Sequence, residues 1–154
     1  MASSKRNDQR KRIAERLGVV LASSYVLMLK TQNFHWNVTG PHFNALHTMF
    51  GAQYAELFVA IDPIAERMRA LGEFAPGGLA GYGKLSAIDD APASPPKYEK
   101  MLAQLASDHE RLSALCGDLR ALADEAGDTA TGDLMNGRID LHDKTAWMLN
   151  AHLA

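Results

Sequence analysis

Apolar side chains recur at every third or fourth position over four long stretches of the chain, and polar, glycine and proline residues fill the gaps between them. This is the spacing of helices that bury one face. Ile13, Leu17, Val20, Leu21, Leu27 and Phe34 form the first stripe and predict a helix from about residue 7 to residue 37. It should stop at Asn37-Val-Thr-Gly40-Pro41, where glycine accepts a left-handed conformation and proline cannot continue the helix. Phe43, His47, Phe50, Tyr54, Leu57, Ile61, Ile64 and Met68 mark a second helix ending near Leu71-Gly72. Residues 74–96 are rich in glycine and proline and read as a long crossover, with a short helical turn predicted at Lys84–Ile88. A third helix is predicted from Lys97 to Ala123 and a fourth from Thr129 to Ala151. Two helical hairpins joined by one long connection make an all-α four-helix bundle. The chain shows no repeat, strand alternation or low-complexity tract.

Composition adds limits to this picture. A chain of 154 residues with 47% hydrophobic side chains can bury one substantial core, so a single domain is expected. It has no apolar run of membrane-spanning length, and its first residues contain no apolar stretch that would direct export. The lone Cys116 cannot form an internal disulfide. These features agree with a cytoplasmic protein. The net charge of −2 conceals an asymmetry, because residues 1–16 carry a balance of +4 and the remainder −6. The reading is a basic arm over residues 1–12 on a bundle over residues 13–154. Such an arm is either a solvated helix start or a contact for a polyanion.

The chemistry concentrates in the first hairpin. His35 lies eighteen residues, or five helical turns, after Leu17 and so shares its inward face. His47 falls within the apolar stripe of the second helix. Either histidine alone reads as a hydrogen-bonded core residue. Asp62 and Glu66 stand one turn apart on the second helix, and a carboxylate pair beside an apolar stripe calls for a neutralising cation. A solvated acidic face with Arg69 nearby is the simpler account. Two histidines and two carboxylates together make a ligand set for ferrous iron, manganese or zinc. His47 and Asp62 are fifteen residues apart on one helix, about 22 Å at the helical rise, so one chain cannot bring them to the same ion. Two hairpins packed antiparallel about a two-fold axis could, and Gly51, Ala52 and Ala55 are small enough to let a partner helix approach.

The stretch Asn33-Phe-His-Trp-Asn-Val-Thr-Gly-Pro-His-Phe43, then Leu46-His47, Asp62-Pro-Ile-Ala-Glu-Arg67 and Leu71-Gly72, resembles the DNA-protecting starvation proteins, the Dps or mini-ferritin family. Lys144-Thr-Ala-Trp-Met-Leu149 extends the resemblance toward the end of the chain. The resemblance implies a ferritin-like bundle assembling as a hollow dodecamer. Ferroxidase sites would lie at its two-fold interfaces, with His35 and His47 of one subunit facing Asp62 and Glu66 of the next. It implies oxidation of ferrous iron by hydrogen peroxide or dioxygen, storage of ferric mineral, and protection of DNA from oxidative damage. Zinc or manganese would be substitutes for iron. It further implies non-specific binding of double-stranded DNA, with association with the nucleoid, through Lys5, Arg6, Arg10, Lys11 and Arg12. Trp36 would lie near the iron, although a core aromatic reads at least as well, and Asp118, Glu125 and Asp128 resemble the acidic lining of iron-entry pores, although a solvated acidic turn reads equally well. His42, His109, His142 and His152 have no matched partner and read as surface or core residues.

The chain departs from the family pattern where a carboxylate is expected four residues after the second histidine, and Gly51 stands there instead. One firm and one weak iron position are expected as a result. The alternative is a DNA-condensing or structural shell with an impaired site. Pro63 directly follows Asp62 and is expected to disturb the helix there.

Overall fold

A computed structural model describes residues 2–154 and contains five helices: α1 (Ala2–Asn37), α2 (Phe43–Ala70), α3 (Leu79–Leu85), α4 (Tyr98–Ala126) and α5 (Thr129–Ala151). Four long helices and one crossover helix fulfil the predicted bundle, and the described residues include no strand. Helix α1 begins five residues before its predicted start. Residues 2–12 contain neither glycine nor proline and are rich in arginine and lysine, which favour helix without a buried face. The basic segment is therefore a largely exposed extension of α1.

The stops follow the chemistry of their residues. Gly40, with φ +109°, turns the chain after α1, and Gly72, with φ +98°, closes α2 while the Glu73 amide donates to the Met68 carbonyl. Gly127, with φ +71°, ends α4, three residues beyond the predicted stop. Asp128 then caps α5 by accepting from the Thr131 amide. Helix α2 runs unbroken through Pro63. Pro63 and Val59, whose carbonyl loses its helical donor, are both exposed, so water can take the place of the missing bond.

The crossover helix falls earlier than predicted, at Leu79–Leu85. The Ser86 hydroxyl donates to the Ile88 carbonyl and accepts from the Ile88 amide, a local arrangement that ends the helix where the sequence pattern had placed its start. Tyr82 stacks on Tyr25 of α1 at 4.4 Å, Ile88 is buried, and the Ala87 amide donates to the Ser23 hydroxyl. The crossover is thus tied to α1 along its length.

The hairpins α1–α2 and α4–α5 pack closely, α1 joins them through α4, and α2 barely touches α5. Leu17, Leu21 and Phe34, Phe50, Leu57 and Ile64, and Leu102, Leu105 and Leu112 meet in one core. A cleft of about 340 Å³ follows the loose α2–α5 seam, with His109 among its lining residues. The structure gives His109 and His142 partners that the sequence did not suggest, because their Nδ1 atoms lie 2.8 Å apart across the α4–α5 pair. Arg138 donates to His142 Nε2 and is ion-paired with Glu56 of α2. His142 therefore keeps its proton on Nδ1 and donates it to His109. This network neutralises the core's buried arginine. Cys116 sits in the same core, its thiol pushed up to about 12 by burial, and so is no nucleophile at neutral pH.

Burial, followed by the nearby Arg138 charge, holds His109 down at about 3, and burial holds His142 down at about 2. Both rings are neutral in the folded chain at physiological pH. The unfolded chain takes up protons near 6.5 that the folded chain refuses, so stability is greatest above 6.5 and falls as pH drops toward 3. The expected outcome is a lower urea midpoint at pH 5 than at pH 7, with a slope set by about two protons per chain. Measured across that window, the double variant His109→Gln/His142→Gln should flatten the dependence, and an unchanged slope would assign it to other groups.

Candidate metal centre

The two ends of the α1–α2 hairpin are locked together by their histidines. His35 Nδ1 lies 2.6 Å from the His47 carbonyl oxygen, and His47 Nδ1 lies 2.8 Å from the His35 carbonyl oxygen. A carbonyl only accepts, so each Nδ1 carries the hydrogen and donates it. The tautomer of both rings is thereby set, and each keeps an Nε2 lone pair with no bond to the described residues. Metal-ligating histidines are commonly held in this way, with one ring nitrogen fixed by a main-chain oxygen and the other free for the ion. The rings stack at 3.8 Å, and both are half-buried.

Two aromatic residues that the sequence marks only as positions of the second helix hold this stack from either side. Phe43 stacks on His47 at 5.1 Å, and the Tyr54 ring meets His35 edge-on at 5.3 Å. Their helical spacing was the available signal: Phe43 is one turn before His47, and Tyr54 two turns after it. Gly51 also acquires a physical reason. A Cβ built there would lie 3.1 Å from His35 Cε1 and 3.3 Å from His35 Nδ1, tighter than ordinary contact, so any side chain would press on the ring of His35.

Asp62 and Glu66 are exposed on α2, about 22 Å along the helix from His47 at 1.5 Å per residue. Neither is ion-paired among the described residues. Arg67 is drawn to Asp128, and Arg69 to the Glu73 carbonyl and the face of Phe74, so neither cation neutralises the pair. No cluster of three or more metal-ligating side chains exists within the described residues of one chain. Exposed apolar side chains flank both half-sites: Trp36 is 64% exposed beside His35, and Phe58 and Val59 are 63% and 70% exposed one turn before Asp62. Isolated chains seldom present so much apolar surface around polar ligands without a partner to cover it.

The remaining candidates separate. Asp118 and Glu125 are exposed and, seven residues apart, share a face of α4. Asp128 is committed, accepting from Arg67, the Thr131 amide and the Thr131 hydroxyl. Lys5, Arg6, Arg10, Lys11 and Arg12 are exposed on the first turns of α1. His42 packs edge-on against Tyr98, and His152 is exposed at the end of α5. No helix among the described residues is long and apolar enough to cross a membrane.

The chain matches the ferritin-like domain of the ferritin family over residues 14–154. DNA protection during starvation protein 2 of Bacillus anthracis is 35% identical over 143 residues, spanning 93% of this chain and 97% of that protein. The crystal structure of a Dps protein from Bacillus brevis is similar at a TM-score of 0.92 and 33% identity, covering 96% of this chain and 98% of that one. A Dps protein from Vibrio cholerae, described as a member of a broad superfamily of ferritin-like diiron-carboxylate proteins, is similar at a TM-score of 0.91 and 32% identity, covering 96% of this chain and 92% of that one. A bundle of this topology, matched over nearly its whole length by relatives more than 30% identical, belongs to the ferritin-like proteins and, among them, to the Dps family.

Proposed function

We propose that the protein is a ferroxidase and iron-storage subunit whose site forms between two copies, His35 and His47 coming from one and Asp62 and Glu66 from the other. The observation that carries this reading is the reciprocal pair of Nδ1–H bonds, which leaves two imidazole Nε2 atoms free at one place on the hairpin. Two unpaired, exposed carboxylates beside uncovered Phe58 and Val59 supply the complementary half. Imidazole and carboxylate together suit ferrous iron, the substrate, and would also accept zinc or manganese. An isologous contact generates two such sites per dimer, and twelve subunits would close a hollow shell around ferric mineral.

Oxidation by peroxide takes two electrons, one from each of two ferrous ions, as the O–O bond breaks and both oxygens leave as water or hydroxide. Dioxygen is the alternative acceptor. Removing ferrous iron and peroxide together protects DNA. Non-specific contact with double-stranded DNA, consistent with a place at the nucleoid, is assigned to the basic first turns of α1, where modest single contacts multiply over a shell.

Gly51 favours the second reading to a limited degree. No carboxylate stands at this position, and a Cβ there would press on the ring of His35, so one ion is held firmly and the second weakly. A DNA-condensing shell with an impaired ferroxidase site is the end point of that loss.

Anaerobic titration with ferrous iron followed by peroxide tests the enzyme: ferric absorbance should develop at about one tightly bound iron per site, and its absence would leave the structural shell. Gly51→Ala should slow this oxidation by up to about tenfold, since the methyl displaces His35 without adding a ligand. Gly51→Asp should raise the iron count per site if the added carboxylate outweighs the same displacement. Deletion of residues 1–12 should abolish retardation of duplex DNA in a gel, and equal retardation with and without them would place the DNA contact elsewhere.

A further inference from the structure

Arg6 and Arg10 stand one turn apart on the same face of α1. Like charges at that spacing repel, and none of the ion pairs among the described residues involves either of them. Both line a cleft of about 470 Å³ whose other wall is Arg67 from α2 and the Gly127–Asp128 turn between α4 and α5. At about 30 Å³ per water, the cleft has room for an oxyanion with several waters.

The far wall is held by an ion pair and by hydrogen bonds. Arg67 Nε donates to the Thr131 hydroxyl at 3.0 Å and one terminal nitrogen, Nη2, donates to Asp128 at 2.7 Å, leaving Nη1 with no bond to the described residues. Asp128, the one carboxylate among the lining residues, already accepts from Arg67 and twice from Thr131. Three arginines therefore line the cleft with one carboxylate that is already engaged, over a floor that includes the apolar Ile13 and Leu71. An apolar floor strengthens the field in the cleft, and planar guanidinium forks match the oxygens of phosphate.

We propose that this cleft binds a phosphate group, Arg6 and Arg10 closing on it from α1 while Arg67 holds it from α2. The group is either inorganic phosphate or a backbone phosphate of DNA. In the second case the inference rests on the DNA contact proposed above and refines it, since position as well as charge then matters. Lys5 and Lys11 carry the same charge on the same turns of α1 without lining the cleft.

The test uses the full chain and its variants Arg6→Gln, Arg10→Gln, Lys5→Gln and Lys11→Gln, each of which removes one positive charge from an exposed position. Calorimetric titration with inorganic phosphate and gel retardation of duplex DNA are run on each. Either arginine substitution should weaken phosphate binding about tenfold or more, as loss of a charge-assisted hydrogen bond does, and the lysine substitutions should change it less than twofold. A loss of DNA retardation that is clearly larger in the arginine variants than in the lysine variants identifies the group as DNA phosphate. Unchanged retardation beside lost phosphate binding identifies free phosphate, and phosphate binding without any DNA retardation upholds the cleft while removing the DNA contact. No phosphate uptake by the parent chain, or equal losses from arginine and lysine substitutions, would overturn the proposal and leave only diffuse charge.

Discussion

Each of His35 and His47 gives its Nδ1 hydrogen to the other's main-chain carbonyl, and the two bonds close a small ring across the end of the α1–α2 hairpin. The His35 carbonyl, in the last turn of α1, has no helical donor, and the His47 imidazole supplies one. The same bonds set the tautomer, hold the rings stacked at 3.8 Å, and leave both Nε2 atoms available. Structural and chemical roles therefore coincide in one interaction. Phe43 and Tyr54 restrict the stack from either side, and Gly51 has no side chain to press on His35.

The carboxylates are arranged differently. Asp62 and Glu66 lie exposed and without ion partners on the far half of α2, and helical geometry keeps them out of reach of their own histidines. A helix cannot fold back to unite them, so a common site requires a second chain. The exposed Trp36, Phe58 and Val59 supply apolar area that such an association would bury. Away from this face the bundle pairs its buried charges internally, Arg138 with Glu56 and His142 and Lys30 with Asp108.

The helices were legible because periodicity and stop chemistry agree: Gly40-Pro41 and Leu71-Gly72 end α1 and α2 where the stripes end. The inward position of His35 was legible from a five-turn spacing. The start of α1 was not, since its first turns lack an apolar face and rest on propensity alone. The crossover helix was displaced by the local hydrogen bonds of Ser86, which periodicity does not register. The pairing of His109 with His142 joins residues thirty-three positions apart on different helices, and the sequence offers no sign of which faces meet. The sequence named Gly51 as a missing ligand, but the ring that a side chain there would press on became visible only when α1 and α2 were packed together.

The central claim is that no single chain owns the site, and subunit complementation tests it most directly. His35→Ala and Glu66→Gln subunits, each assembled alone, should be inactive with ferrous iron and peroxide. Unfolded together and reassembled at random, half of the dimers carry one of each, and one of the two sites in every such dimer regains all four ligands. The account predicts recovery of about a quarter of the parent activity. Mixtures that remain inactive, while assembling as the parent does, would contradict it.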